Sequence, residues 1–409
     1  MVTAAHASAV AVLGAGVKTA AGNTVQDLWT ALSQGRSTTE VFEDDRFPDG
    51  VSTLVCRDHD FDAGAYLSPV ERRRLDRSQA LALAAGQDAL DHCRELPPPD
   101  RRAVVCGVGL PAAATYEEQL THLLAGGLRS LSPLTIPTVM PSSVSSMLAI
   151  RHDFRGTSVT ISAACASGAA AIASGVQLLR ADAADLVLAG GVDSLITFGA
   201  LAGFMKLDAL SRCVDRPELA SRPFDVDRDG FVMGEGAGFV VLVRLADAVG
   251  EPCLGTVLGH ASTSDAYHLV APAPDGEGAL RCMELALADA DLCPNDIEHV
   301  NAHGTSTVLN DRAEAEALTR LFASSCPPVT SVKGTTGHMI AGSGAVEAVV
   351  ALTSIERGVV PPVTGLRTLD PAVRVDVVDG EPRQVSSGPA LSNSFGFGGA
   401  NTVLVLGPA

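Results

Sequence analysis

The chain has 409 residues, 46% of them apolar, 19% charged and 4% aromatic, with a formal net charge of −18 and nine cysteines. That length predicts roughly two or three structural units around a large core, and the acidic balance excludes a nucleic-acid binder, which needs a basic surface against phosphates. No apolar run reaches the roughly 18 residues of a membrane-spanning helix. Met1–Val12 lacks the basic stretch of a signal peptide. The cysteines, at 56, 93, 106, 165, 213, 253, 282, 293 and 326, are scattered without a CxxC pair, so they form neither a zinc signature nor a disulfide framework. A reducing, cytoplasmic setting follows, with most thiols expected as small core residues.

In chain order, apolar runs alternate with Ala-rich amphipathic segments, the pattern of an α/β fold. Val10–Gly14 reads as a buried strand. Gly14-Ala15-Gly16 reads as a structural turn, because a dinucleotide site needs an acid-ended strand about twenty residues on, where Ser33-Gln-Gly-Arg-Ser stands. Gly35–Asp62 is polar and irregular, an expected surface excursion. Ser78–Leu96 reads as a helix closed by Pro97-Pro98-Pro99, Val104–Gly109 as a strand, and Ser158–Ser162 as another. A helix of very small residues is expected over Cys165–Arg180, then a strand over Leu186–Gly190. Thr256 onward resembles Ala11 onward, and the helix at Gln79–Leu90 has a counterpart at Gly278–Asp291. Two related halves, 1–250 and 251–409, are therefore predicted.

Four segments carry residues suited to chemistry. Cys165 lies at a strand-to-helix turn, where the positive end of the helix dipole is expected to favour the thiolate. Taken alone, it reads equally as a small core residue. His303 stands in His299-Val-Asn-Ala-His-Gly-Thr-Ser-Thr, and Lys333 and His338 in Ser331-Val-Lys-Gly-Thr-Thr-Gly-His, with Glu347 following. Of 29 basic residues only Lys18, Lys206 and Lys333 are lysines, so Lys333 stands out. A thiol, two loop histidines and a lysine–glutamate combination are hard to explain by packing; His299 is left as a strand residue without a role. In Leu391–Asn401, the Gly/Phe run Phe395–Gly399 lets backbone approach a ligand and donate N–H groups. No Lys-Ser/Thr follows it, which excludes a Walker loop; by itself the run also reads as a plain turn.

ISAACASGAA, VNAHGTST, SVKGTTGH and NSFGFGGAN, in this order, resemble the β-ketoacyl-acyl-carrier-protein synthases. The similarity runs over essentially the whole chain, including Arg222-Pro-Phe-Asp and the segment Arg228–Gly238. The Cys-His-His set is that of the elongating branch, since initiating enzymes carry Asn for the second His and thiolases a second Cys. The resemblance implies a thiolase-like α/β fold: two βαβαβ halves in αβαβα layers, forming dimers. It implies a decarboxylative Claisen condensation of a Cys-bound acyl chain with malonyl-acyl-carrier-protein, in fatty-acid or type II polyketide or polyene synthesis. By that resemblance Cys165 is the nucleophile, and His303 and His338 donate from Nε2 to the enolate. Lys333 and Glu347 hold His338. The N–H groups of Cys165 and Phe397 form an oxyanion hole, and Phe397 is also a gate. Thr305 and Thr307 bind the phosphopantetheine arm, and Phe204 walls the acyl pocket.

No cofactor of the chain's own is implied; phosphopantetheine arrives on the carrier protein. The implied partners are that protein and a second subunit, either an identical chain or one like a chain-length factor. The run Met339-Ile-Ala-Gly-Ser-Gly, the Met-Lys-Leu-Asp after Phe204 and the ending Gly-Gly-Ala-Asn depart from the usual pattern, so the acyl chain stays open. A ketosynthase-like acyltransferase and a structural partner subunit are the alternatives, both disfavoured by the intact Cys-His-His set. Carrier proteins of this family are acidic, so docking on a chain of charge −18 calls for a local basic patch. Arg72, Arg73, Arg74, Arg77, Lys206 and Arg212 are the candidates.

Overall fold

A computed structural model of the chain describes residues 9–48, 51–323 and 325–409. Its strands are β1 (Val10–Thr19), β2 (Glu40–Phe42), β3 (Thr53–Cys56), β4 (Arg102–Val108), β5 (Ser158–Ile161), β6 (Leu186–Ser194), β7 (Met233–Arg244), β8 (Gly255–Ser264), β9 (His299–Asn301), β10 (Val329–Thr330), β11 (Val359–Val360), β12 (Arg383–Gln384), β13 (Ala390–Gly396) and β14 (Ala400–Gly407). Every residue of β1 and β6 is buried. Such continuous apolar runs belong to strands covered on both faces.

Two strand runs share one plan, β1-β7-β6-β4-β5 and β8-β14-β13-β9-β10. In each run the first two joins are antiparallel and the last two parallel. The runs meet through a short antiparallel contact in which Ala11 faces Thr256. The two segments that resemble each other in sequence are thus neighbours in space.

The helices Ser167–Arg180 and Ser343–Arg357 lie between the two runs and share a core with Val10, Val12, Val240 and Leu404. The helix Arg77–Leu90 covers the outer face of the first run, packed on residues of β1, β4 and β7. The helices Glu277–Asp289 and Val308–Phe322 cover the second. Five αβαβα layers result, as the resemblance implies.

Four local expectations change. Gly14 and Gly16 lie inside β1, not in a turn: a side chain at either would strike the backbone of the Arg77–Leu90 helix at Ala89 or Ala85. That helix stops at Leu90 rather than Leu96, because residues 91–96 bury no apolar side chain that would hold another turn. Within Gly35–Asp62, β3 is fully buried and pairs with β7, and Phe47 is buried too, so this stretch is not a surface excursion. Only Cys56, Cys106, Cys165 and Cys282 are buried; the other five thiols are partly or fully exposed, because they fall on loops and helix rims.

Candidate active site

Cys165 follows β5 and lines a cavity of about 400 Å³. The turn that carries it is strained: Ala164 has φ +48°, a left-handed conformation that costs a residue with a side chain about 1 kcal/mol or more. Ser167 Oγ ties the turn, accepting the Ala163 N–H at 2.8 Å and donating to the Ala164 carbonyl at 2.6 Å. Gly396, at the end of β13, packs against the same turn. A Cβ there would sit 2.7 Å from the Ala163 carbonyl oxygen, so only glycine allows the approach.

That approach brings the Phe397 N–H, with the N–H of Cys165 itself, onto the Cys165 sulfur. Burial nevertheless pushes the thiol up to about 11, against the Lys333 charge and these donors. The helix begins at Ser167, so Cys165 stands at its N-terminal end as expected, while burial acts against the thiolate there.

His303 leaves β9 in a loop held from behind by a carboxylate. Glu314 accepts the His303 N–H at 2.9 Å and the Gly304 N–H at 2.8 Å, and a third bond from Asn393 at 3.0 Å. Burial raises the Glu314 carboxyl to about 7. Lys333 Nζ lies 3.3 Å from His303 Nδ1, donates to the His303 carbonyl and bonds Glu347, with all three side chains buried. An ammonium only donates, so Nδ1 must accept and the ring proton sits on Nε2. The pair thus serves His303, not His338 as the resemblance implied.

His338 is held by Ser343 instead, its Nδ1 lying 3.0 Å from Ser343 Oγ. That oxygen also accepts the Met339 N–H at 3.0 Å, and among the described residues its hydroxyl proton has no acceptor other than the imidazole. His338 is therefore also an Nε2–H tautomer, and its Nε2 has no protein partner. Burial first, and the Lys333 charge second, hold both imidazoles well below their usual pKa, so both are neutral donors at pH 7.

The Cys165 sulfur and one ring nitrogen from each histidine lie within 4.8 Å of one another. It is the one set among the described residues spaced like metal ligands. Both rings present N–H donors rather than lone pairs, however, which suits a developing oxyanion and not a cation.

Thr305 and Thr307 line the same cavity, their hydroxyls 2.9 Å apart. Phe204 stacks on Phe397 with ring centroids 6.3 Å apart and meets Phe231 edge-on. Among the basic candidates, Arg72, Arg73 and Arg74 are exposed but belong to no wall of this cavity. Lys206 is exposed beside the cavity-lining Leu207. Arg77 is withdrawn: it turns inward and forks onto the buried Glu235 at 2.8 Å. Arg212 pairs with Asp208 four residues earlier, beyond the end of the Phe198–Lys206 helix, with both side chains exposed.

Sequence reasoning missed Glu314, Ser343 and Asp193. Asp193 ends β6 and accepts the N–H groups of Gly109, Leu110 and Ala341, fixing the loops beside Cys165. An acid closing the otherwise uncharged run Leu186–Val192 was a readable signal. Glu314 was not distinguishable from Glu316 without the helix phase.

A model of the β-ketoacyl synthase N-terminal domain matches residues 7–248, and one of the C-terminal domain matches residues 254–367. The chain belongs to the β-ketoacyl synthase family. It is 39% identical to 3-oxoacyl-[acyl-carrier-protein] synthase 2 of Synechocystis sp., over 97% of each chain. Among solved structures, the ishigamide ketosynthase/chain length factor superposes with a TM-score of 0.89 at 29% identity, over 98% of this chain and 99% of that one. A type II PKS acyl-carrier protein in complex with its ketosynthase, bound to a hexaketide, gives 0.90 at 28% identity with the same coverage. The chain is an acyltransferase-class enzyme of the ketosynthase type.

Proposed function

We propose that this synthase elongates acyl chains on an acyl carrier protein by decarboxylative Claisen condensation. The observation that carries the reading is one thiol and two Nε2–H donors converging at the end of a single cavity. Cys165 Sγ attacks the carbonyl of an incoming acyl thioester. The bond to the phosphopantetheine sulfur breaks, and that sulfur leaves with the Cys165 proton. The carbonyl oxygen passes through its charged state between the N–H groups of Cys165 and Phe397.

Malonyl-carrier protein enters next, its arm along Thr305 and Thr307, and loses CO₂. The two imidazoles hold the enolate oxygen while the enolate carbon attacks the acyl-Cys165 carbonyl, releasing Cys165 and the 3-ketoacyl thioester. Two neutral donors suit this step, because they stabilise the enolate without protonating it. Lys333 and Glu347 act through His303, and Ser343 through His338. The Phe204–Phe397 stack closes the side of the site where the apolar cluster around Leu201 and Leu210 would receive the acyl chain.

The reading includes an acyl carrier protein as partner and supplier of phosphopantetheine, a dimer with an identical or chain-length-factor-like subunit, a division of the chain near residue 250, and a cytoplasmic setting. Among the described residues no helix is long and apolar enough to cross a membrane. Solved relatives seen with a carrier protein or a chain length factor support the partners. Arg72, Arg73, Arg74 and Lys206, exposed and without an ion pair among the described residues, are the cations offered to that carrier. The test is intact-protein mass spectrometry with a panel of acyl-carrier proteins: the chain gains the acyl mass, and Cys165→Ala does not. Acylation that persists in Cys165→Ala overturns the assignment, and acylation without CO₂ release from malonyl-carrier protein marks a plain acyltransferase.

A further inference from the structure

Two backbone bonds lock His338 to the start of β7. Its N–H donates to the Val232 carbonyl at 2.7 Å, and its carbonyl accepts the Gly234 N–H at 2.9 Å. A Cβ at position 234 would sit 2.5 Å from the Thr336 carbonyl oxygen, so only glycine lets the strand lie this close. Three residues past His338, the Ala341 N–H donates to Asp193 at 2.9 Å. Between these two tethers stands Ile340, with φ +47°, a left-handed conformation that a β-branched residue takes only where its surroundings impose it. Ile340 lines the cavity together with Cys165. The segment that presents His338 is therefore strained and held from both sides.

The next residue of β7, Glu235, is buried and anchors the strand. Its carboxylate accepts from three separate elements. Arg77, at the start of the Arg77–Leu90 helix, forks onto it from Nη2 at 2.8 Å and from Nε at 3.1 Å. Ser194 Oγ, at the end of β6, donates at 2.7 Å, and the Asp58 N–H, just past β3, at 3.1 Å. Arg77 Nη2 also donates to the Asp58 carbonyl. None of these four residues lines the cavity. Ser194 follows Asp193 directly, so the anchor of residue 338 and the anchor of residue 341 meet on the last two residues of β6.

We infer that Arg77 and Glu235 are positioning residues for His338, pinning the start of β7 so that the strained segment His338–Ala341 keeps the imidazole Nε2–H aimed at the enolate. The inference rests on the ketosynthase reading, which gives His338 its part in decarboxylation. Acylation of Cys165 draws on other loops, because its N–H donors belong to Cys165 and Phe397, which follow β5 and β13. Loosening the clamp therefore slows one half-reaction and spares the other. A bidentate fork fixes direction as well as charge, and a lysine in its place supplies the charge alone.

The experiment compares two rates in each variant: acyl mass gained by Cys165 from an acyl thioester, and CO₂ released from malonyl-carrier protein. A group misplaced by about 1 Å costs about 100-fold, and one that is only loosened costs less. Arg77→Met is thus expected to lower CO₂ release about tenfold, with acylation within about twofold of wild type. The loss should fall on kcat, with KM for malonyl-carrier protein within about twofold, because nothing in the clamp touches the arm. Arg77→Lys is expected to recover part of the rate and stand about fourfold below wild type. Arg101 pairs with Asp182 and Asp185 at the opposite end of β6. Arg101→Met is expected to lose stability and leave the ratio of the two rates within about twofold.

CO₂ release within about twofold of wild type in Arg77→Met overturns the clamp, and the same result in Arg77→Lys does so where the methionine variant does not fold. An equal fall in both rates overturns it too, since a general loss of structure then accounts for the change. A wild type that takes up no acyl group or releases no CO₂ overturns the ketosynthase reading instead. The two failures are thus separable.

Discussion

Replacing Lys333 by methionine tests the internal wiring of the site. Its ammonium is fully buried between Glu347 and His303. At about 3 Å and an effective dielectric of about 20, the Lys333–Glu347 attraction is about 5 kcal/mol. Removing one partner strands a buried carboxylate, and such losses run to about 3–5 kcal/mol. Lys333→Met is therefore expected to lower unfolding free energy by about that amount. It also takes away the donor that keeps His303 Nδ1 accepting, so the ring loses its fixed tautomer.

The double variant Lys333→Met/Glu347→Leu removes the stranded charge as well. Stability should return to within about 1 kcal/mol of wild type, because an apolar pair of similar volume often replaces a buried ion pair without loss. Decarboxylation should stay about 100-fold down, since one oxyanion donor is still misdirected. The single tryptophan, Trp29, is buried and reports urea unfolding by its fluorescence. Release of CO₂ from malonyl-carrier protein reports the chemistry. A single variant that loses less than about 1 kcal/mol, or a double variant that decarboxylates like wild type, would refute the assignment of this pair to His303.

His338→Ala should retain acylation of Cys165 and lose decarboxylation, read as an acyl mass shift without CO₂ release; equal loss of both would remove the division of roles. Ser343→Ala should lower decarboxylation about tenfold with acylation preserved, because the His338 ring then chooses freely between tautomers; an unchanged rate would show that Ser343 does not orient it. Asp193 supplies a pH test. Burial raises its carboxyl to about 7 from 3.8, so the folded state binds the proton more tightly than the unfolded chain does. Its stabilising contribution is complete below about pH 4 and is lost as pH rises through 7. The stability of wild type relative to Asp193→Asn should then fall by about 4 kcal/mol between pH 4 and 8 in urea titrations, and a pH-independent difference would contradict this.

Much of the site was legible because its groups sit in short runs of unusual composition. A cysteine between a strand and a helix of alanines, two histidines in loops of small hydroxyl residues and a scarce lysine announce themselves without a fold. The pseudo-repeat was legible too, since Ala11 and Thr256 open equivalent strands that pair edge to edge. Nearness along the chain misled where the backbone turns. Lys333 is five residues from His338 and thirty from His303, yet the short Lys333–Thr336 helix and the Ser343–Arg357 helix deliver its amine to His303.

The same limit applies to charge and to glycine. Arg77 looks like the fourth member of an exposed basic run, but it opens a helix and its fork turns onto Glu235. Gly14 and Gly16 look like a turn and are instead the groove that admits a helix backbone. The amino-acid sequence by itself determined the family, the layers and the candidate reacting groups, because those depend on composition and on order along the chain. Only the tertiary structure decided which proton sits on which imidazole nitrogen, how far burial lifts the Cys165 thiol, and which charges remain free to meet a partner. Those properties depend on distances and desolvation between segments remote in sequence.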